Sequence, residues 1–225
     1  GQQKIMDSTV LIIGMGGLGS PTALYLAAAG VGHLVIADFD QVELSNLQRQ
    51  IIHQTKDIGD DKVNSAKNKL TELNPEIKVT IANELIHTDN LSDLIQGVDI
   101  VLDGTDNFES RFEINKVCVE NKKPLISAAV VRFEGQVSVF KGHEKDQPCY
   151  QCLYSEEGEE NESCIDNGVL APVAGLIGTI QALQAIKVIL NLGDQLSGSL
   201  LLVDALDLSF RKVKIGKDSK CPVCN

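Results

Sequence analysis

The sequence predicts an α/β protein built on a doubly wound, mainly parallel sheet that later, antiparallel strands extend. Three observations carry this. An apolar run near the start ends in a glycine loop. Strand-like and helix-like segments then alternate through the first half. Further apolar runs follow once the alternation stops.

Val10-Leu11-Ile12-Ile13 is a continuous apolar run and reads as a parallel strand buried on both faces. Gly14-Met15-Gly16-Gly17-Leu18-Gly19 follows, and residues 20–29 are helical. Residues 34–37 form a second strand closed by Asp38. Over residues 62–73, Val63, Ala66, Leu70 and Leu73 share one helical face. Residues 78–82, 99–102 and 124–127 supply the third to fifth strands, with helices in the gaps, which completes a Rossmann-like arrangement. Residues 136–140 and 200–203 read as antiparallel additions. Between them, residues 155–166 are acidic and poor in apolar side chains, so a mobile loop is expected over 153–168. Residues 169–192 are the most apolar long stretch. Gln181, Gln184 and Lys187 interrupt it, so it reads as a buried helix and no membrane span is expected. The 225 residues fit a single domain with halves at 1–128 and 129–225.

Composition narrows the function. The net charge of −11 is spread without a basic block, which argues against nucleic acid as a partner. The polar start, Gly1-Gln2-Gln3-Lys4, does not resemble a signal peptide. Four paired cysteines and two single ones, Cys118 and Cys164, suit a reducing, cytoplasmic setting.

Cys149/Cys152 and Cys221/Cys224 are two Cys-x-x-Cys pairs. Two such turns can enclose one tetrahedral Zn²⁺, and four thiolates leave no position open for water, so the metal would be structural. Two redox dithiols or two disulfides are the alternatives. The chemistry then belongs to the glycine loop and the charged residues after it.

Gly14-x-Gly16-x-x-Gly19 sits between a strand and a helix, where glycine lets backbone N–H groups approach a phosphate at a helix N-terminus. Asp38 follows Gly19 by 19 residues, at a strand's end, where a carboxylate can accept from ribose hydroxyls. This alone would equally suit NAD(H), or a tight turn with no ligand. Arg49 and Lys62 lie downstream and favour a more highly charged ligand. Each also reads as a surface cation, with Asp60 and Asp61 offsetting Lys62. Gly104-Thr105-Asp106-Asn107 ends the fourth strand. A carboxylate there can hold Mg²⁺ against a triphosphate, and it can equally cap a helix.

Together these segments resemble the MoeB/ThiF family, bacterial relatives of ubiquitin-activating enzymes. The resemblance spans essentially the whole chain. It rests on the glycine loop, Asp38-Phe39-Asp40, Ser45-Asn-Leu-Gln-Arg-Gln50, Asp103-Gly-Thr-Asp-Asn107, Pro148-Cys-Tyr-Gln-Cys152, Gly168-Val-Leu-Ala-Pro172 and Cys221-Pro-Val-Cys224. The Ser-Asn-Leu-Gln-Arg-Gln run and the cysteine pairs are specific; the glycine loop is not. The resemblance implies an adenylation domain. In it Gly14, Gly16, Gly17 and Gly19 hold ATP, Asp38 takes the ribose, and Asp40 is a further cofactor-binding residue. Asn46, Arg49 and Lys62 act at the phosphates, and Asp106 is associated with Mg²⁺. Arg49, Lys62 and Asp106 are the implied catalytic residues. The implied reaction is adenylation of the C-terminal glycine of a small ubiquitin-like sulfur carrier, MoaD-like or ThiS-like, for molybdopterin or thiazole synthesis. The second half, 129–225, would bind the carrier.

The resemblance also implies a homodimer, with the helix carrying Gly175 and Gly178 packing on the sheet or on a second subunit. Members usually carry an N-terminal arm whose arginine reaches the other subunit's ATP. This chain begins too late to include it. Sulfur would come from a separate donor. Cys164 is either a thiol that links covalently to the carrier or an incidental one. Its neighbours Glu160, Glu162 and Asp166 disfavour the thiolate. Cys118 reads as core. An NAD(P)-dependent oxidoreductase and a non-catalytic carrier-binding scaffold are the competing readings.

Overall fold

A computed structural model of the chain describes residues 1–155 and 168–225. Its elements run α1 (Gln2–Met6), β1 (Thr9–Ile13), α2 (Gly19–Ala28), β2 (His33–Ala37), α3 (Lys62–Leu73), β3 (Lys78–Ala82), α4 (Thr88–Leu94), β4 (Ile100–Asp103), α5 (Phe108–Glu120), β5 (Leu125–Val131), β6 (Glu134–Phe140), α6 (Ala171–Leu190), β7 (Ser199–Asp204) and β8 (Ser209–Lys214). Short 3₁₀ turns lie at Leu44–Asn46, Thr55–Asp57 and Tyr150–Cys152. The strands form one mixed sheet in the order β3-β2-β1-β4-β5-β6-β7-β8. The first five pair in parallel, and β5 to β8 pair antiparallel.

The apolar run of β1 explains the two-faced core. Side chains alternate across a strand. Val10 and Ile12 therefore join the cluster under α2, α3 and α6, and Leu11 and Ile13 join the one under α4 and α5. Strand order reverses between β1 and β4, which opens a crevice at their carboxyl ends.

Three differences from the sequence reading have plain causes. Strands β5 and β6 are longer than expected because they form a seven-residue hairpin pairing from Leu125↔Phe140 to Val131↔Glu134. Strand β8 has no counterpart in the sequence pattern. Every one of its residues is exposed, so no burial pattern marks it, and its hydrogen bonds to β7 define it. The acidic stretch expected to be mobile falls largely on residues 156–167, outside the described residues, as does Cys164.

Helix α6 is long and apolar enough, by length and composition, to cross a membrane. It packs instead on α2 and the sheet. A Cβ on Gly178 would meet the Leu18 carbonyl oxygen at 2.5 Å, and one on Gly135 of β6 would meet Ile177 at 2.3 Å. A Cβ on Gly175 would meet nothing within 4 Å, so the Gly175 side of α6 is open. Buried Gln181 of α6 donates to the carbonyls of Asp103 and Ile126 at 2.8 and 3.0 Å, pinning the helix to the ends of β4 and β5.

Candidate functional site

The crevice at the end of β1 is a cleft of about 940 Å³, counting its open mouth. Its wall includes Gly14, Gly16, Gly17, Asp38, Asp40, Arg49, Lys62 and Asp106. Eight residues singled out in the sequence thus meet at one place, from five separate segments.

The glycine loop is held tightly. Gly14 has φ +92°, a conformation L side chains rarely adopt, and a Cβ there would press on the Gly104 carbonyl oxygen at 3.0 Å. A Cβ on Gly19 would lie 1.8 Å from the Gly14 carbonyl oxygen, so only glycine lets α2 start this close to β1. Gly19 therefore shapes the loop from behind and is not part of the cleft wall. Helix α2 begins after Leu18 with no side-chain cap, leaving its partial positive end toward the cleft.

Asp38 follows β2 directly. Its Oδ2 accepts from Met15 N at 2.7 Å and its Oδ1 from Asp40 N at 2.9 Å. Burial pushes the carboxyl above its ordinary range, against the pull of Lys62 and the two N–H donors. Each oxygen keeps a second lone pair for a ribose hydroxyl.

Residues 38–62 form an excursion that returns on itself. Gln41 bridges to Asp61, and Lys62 N donates to Asp40 O at 2.9 Å. The return seats Lys62 at the first turn of α3 with its side chain 7 % exposed and its Nζ 2.7 Å from Asp40 Oδ2. The partner is therefore Asp40. Asp60 and Asp61, the sequence neighbours expected to offset the charge, do not pair with it: Asp61 Oδ2 accepts from Asn64 and Asn83. Arg49 lays its stem across Gly17, whose added Cβ would touch its Cγ and Cδ at 3.4 and 3.5 Å. Its Nη1 donates to Ser45 O at 3.4 Å. Both residues line the cleft.

Asn46 behaves differently. It is not part of the cleft wall, and its Oδ1 accepts from Glu43 N at 3.2 Å as one arm of a reciprocal cap.

At the end of β4, Asn107 is the N-cap of α5 and accepts from Ser110 N at 2.8 Å. That leaves Asp106 exposed on the cleft, and no hydrogen bond or ion pair engages its carboxylate among the described residues. A free hard-oxygen donor facing a phosphate site fits Mg²⁺.

Three residues escape the sequence reading. Gln50 is 4 % exposed, lines the cleft beside Gly16, and its Oε1 has no partner among the described residues. Such an orphaned acceptor calls for a ligand donor. Arg111, with its side chain 8 % exposed, also lines the cleft. Its Nη2 donates to Thr105 O at 2.6 Å, and its Nε lies 3.9 Å from Oδ2 of fully buried Asp103. The pair braces the turn that carries Asp106. His53, buried behind the glycine loop, is the third. Gln50 and His53 adjoin or follow the Arg49 motif, and no local signal distinguishes them. A buried arginine one turn into a helix has no signature in sequence either.

The second site shares no residue with the cleft wall. The sulfurs of Cys149, Cys152, Cys221 and Cys224 all lie within 4.8 Å of one another. Cys149 to Cys221 is 3.6 Å and Cys152 to Cys224 is 3.4 Å, close to the edge of a tetrahedron with Zn–S bonds of about 2.3 Å. Asn115 Nδ2 donates to Cys149 Sγ at 3.5 Å, a bond that suits a thiolate. The donor set fits zinc, and no disulfide joins these cysteines. Cys118 is buried, and burial pushes its thiol far up, in keeping with a core residue.

Comparison with known proteins agrees with this geometry. The profile of the ThiF family matches residues 1–223. The molybdopterin-synthase adenylyltransferase of Escherichia coli K12 is 45 % identical over all of this chain and 90 % of its own. The sulfur carrier protein ThiS adenylyltransferase of the same organism is 46 % identical, again over the full chain and 88 % of its own. Among solved structures, E. coli MccB with ATP superposes over the whole chain and 68 % of its own length, with a TM-score of 0.85 and 26 % identity. The chain belongs to the ThiF family.

Proposed function

We propose that the chain is an ATP-dependent adenylyltransferase that activates the C-terminal glycine carboxylate of a small ubiquitin-like sulfur carrier. The carrying observation is the convergence of Lys62 and Arg49 on the cleft formed by the glycine loop and Asp38. The names of the two E. coli relatives support the same chemistry.

The reaction forms a bond between a carrier carboxylate oxygen and the α-phosphorus of ATP. The bond to the β-phosphate bridging oxygen breaks, and pyrophosphate leaves with the electron pair. A carboxylate is already ionised at neutral pH, so no general base is needed. The obstacle is that two anions must meet. At about 4 Å and an effective dielectric near 20, one unit repulsion is worth about 4 kcal/mol. Lys62 and Arg49 supply the opposing charge from fixed positions, and fixed charge aimed at a developing transition state is the most effective kind. Asp38 orients the ribose, and the N-terminus of α2 faces the phosphates. Asp106 would hold Mg²⁺, which when bound neutralises phosphate charge.

An oxidoreductase has less use for two cations at this position, and a scaffold has no use for the buried Lys62. Both E. coli relatives are adenylyltransferases, which sets these readings aside. Identities of 45 % and 46 % do not separate the two carrier types. The same reading includes a cytoplasmic setting that keeps the four clustered thiols reduced, a separate sulfur donor, and a homodimer. Exposed Tyr25 and Leu183 on α2 and α6 support the last, as does the open side of α6.

The test is ATP:pyrophosphate exchange with MoaD-like and ThiS-like carriers in turn. Exchange that depends on one of them is expected, and the responding carrier names the pathway. Absence of exchange with both, by folded protein that binds ATP, would refute the reading. Cys164→Ser should leave exchange intact, since adenylation needs no thiol.

A further inference from the structure

Met15 is fully buried in the middle of the glycine loop, and side chains hold both of its backbone groups. Its N–H donates to Asp38 Oδ2. Its carbonyl lies 3.0 Å from His53 Nε2. His53 is 5 % exposed and is not part of the cleft wall. Its Nδ1 lies 2.8 Å from Ser65 Oγ, which in turn donates to Asp57 Oδ2 at 2.9 Å.

A carbonyl oxygen can only accept, so the proton on this ring sits on Nε2. Nδ1 faces Ser65 Oγ, whose one hydrogen goes to Asp57 Oδ2, so this contact orients the ring, and the proton on Nε2 follows from the carbonyl alone. Burial, with Lys62 nearby, pushes the ring below its ordinary value, while the Met15 hydrogen bond, Asp38 and Asp57 pull the other way.

We infer that His53 is a positioning residue for the phosphate loop: with a proton on Nε2, it holds the Met15 carbonyl and thereby aims the next N–H into the cleft. The link is the planarity of the peptide unit. The Met15 carbonyl and the Gly16 N–H belong to one plane and point in opposite directions. Fixing the carbonyl toward His53 fixes the Gly16 N–H on the other side, and Gly16 lines the cleft. A loop of glycines has no side chains to hold this plane. Asp38 holds the preceding plane through Met15 N–H, so the two residues grip the loop at successive peptides. The consequence for ATP rests on the adenylation reading; the tautomer and the loop contact do not.

Two substitutions separate this role from simple filling of space. In Gln the amide nitrogen can stand where Nε2 stands. In Asn it reaches only the position of Nδ1. His53→Gln should keep ATP affinity within about twofold, and His53→Asn should weaken it about tenfold, the worth of one hydrogen bond. Exchange at saturating ATP should be unchanged in both, so the effect falls on KM and not on kcat. Independently, a long-range ¹H–¹⁵N spectrum of histidine-labelled protein, with His53 assigned by its absence in H53Q, should show the Nε2-protonated ring. A ring with no proton on Nε2, or H53N binding ATP as well as H53Q, would overturn the inference. Should H53N fail to fold, the wild-type spectrum decides alone. Failure of wild-type exchange with every carrier would refute the adenylation reading, while ATP affinity and the spectrum would still judge His53.

Discussion

Lys62→Met separates chemistry from folding in this protein. The native side chain is 7 % exposed and paired at 2.7 Å with Asp40, whose own side chain is 48 % exposed. Methionine keeps the apolar stem that fills the same space. The lost pair joins one buried and one half-exposed group, so it is worth at most about 1 kcal/mol to stability once the Asp40 carboxylate regains water. The loss to catalysis is larger. Removing one unit charge at about 4 Å from a phosphate oxygen, at an effective dielectric near 20, takes away about 4 kcal/mol. At 1.4 kcal/mol per tenfold, that predicts a fall of about a thousandfold in carrier-dependent pyrophosphate exchange. The assay pairs that exchange rate with a thermal melt of the same preparation. An exchange rate within tenfold of wild type, in protein that melts normally, would refute the role assigned to this cation. Loss of exchange accompanied by a collapsed melt would instead show that Lys62 matters through folding.

Other perturbations follow from the same geometry. Gly19→Ala and Gly32→Ala each force a Cβ to within 1.8 Å of a carbonyl oxygen, that of Gly14 at 1.8 Å and that of Met6 at 1.7 Å. Both should destabilise strongly in a urea melt, but only Gly19→Ala should weaken ATP binding beyond the share of unfolded protein, because only its clash lies in the phosphate loop. Purified protein should carry one zinc per chain by atomic absorption. Cys224→Ser should lower both the zinc content and the melting temperature while leaving residual ATP binding, since no thiol is part of the cleft wall. Burial holds His33, aided by Lys78, and His53 below their ordinary value of 6.5. Above that value both folded and unfolded chains are neutral at these rings. As pH falls through it, the unfolded chain takes up protons that the fold resists, so stability declines. The stability difference between wild type and H53Q, measured in urea at pH 7.5 and 5.5, should shift against wild type on acidification; the opposite shift would contradict the burial argument.

How much of the molecule is legible in the sequence varies with the range of the forces involved. Strand β1, the loop after it and the bounds of α3 are legible because apolar period and glycine spacing are local properties. The gathering of Arg49, Lys62, Asp38 and Asp106 is legible only through a motif, since nothing local says that residues 38–62 fold back on themselves. The sequence points to the wrong partner for Lys62 for that reason: it offers near neighbours, whereas the Gln41–Asp61 bridge brings Asp40 alongside. The choice between Asp106 and Asn107 as helix cap stays open in sequence, because both residue types cap well. Strand β8 and the buried grips at Gln50, His53 and Arg111 are silent. An all-exposed edge strand has no pattern, and the burial of a polar side chain depends on how the surrounding chain folds over it, which residue type and spacing do not encode.

Helix α5 has a consequence for handling this protein. Arg111, near its start, braces the turn that carries Asp106. Asn115, one turn later, donates to Cys149 Sγ and accepts from Tyr150 N at 2.9 Å. The thiol cluster and the cleft wall thus hang from adjacent turns of the same rod. A chelator or an oxidant acting on the sulfurs would loosen the rod's footing, so a preparation stripped of the predicted zinc should lose turnover without a single active-site atom being touched. Storage under reducing, chelator-free conditions is therefore a requirement for any rate to be interpretable.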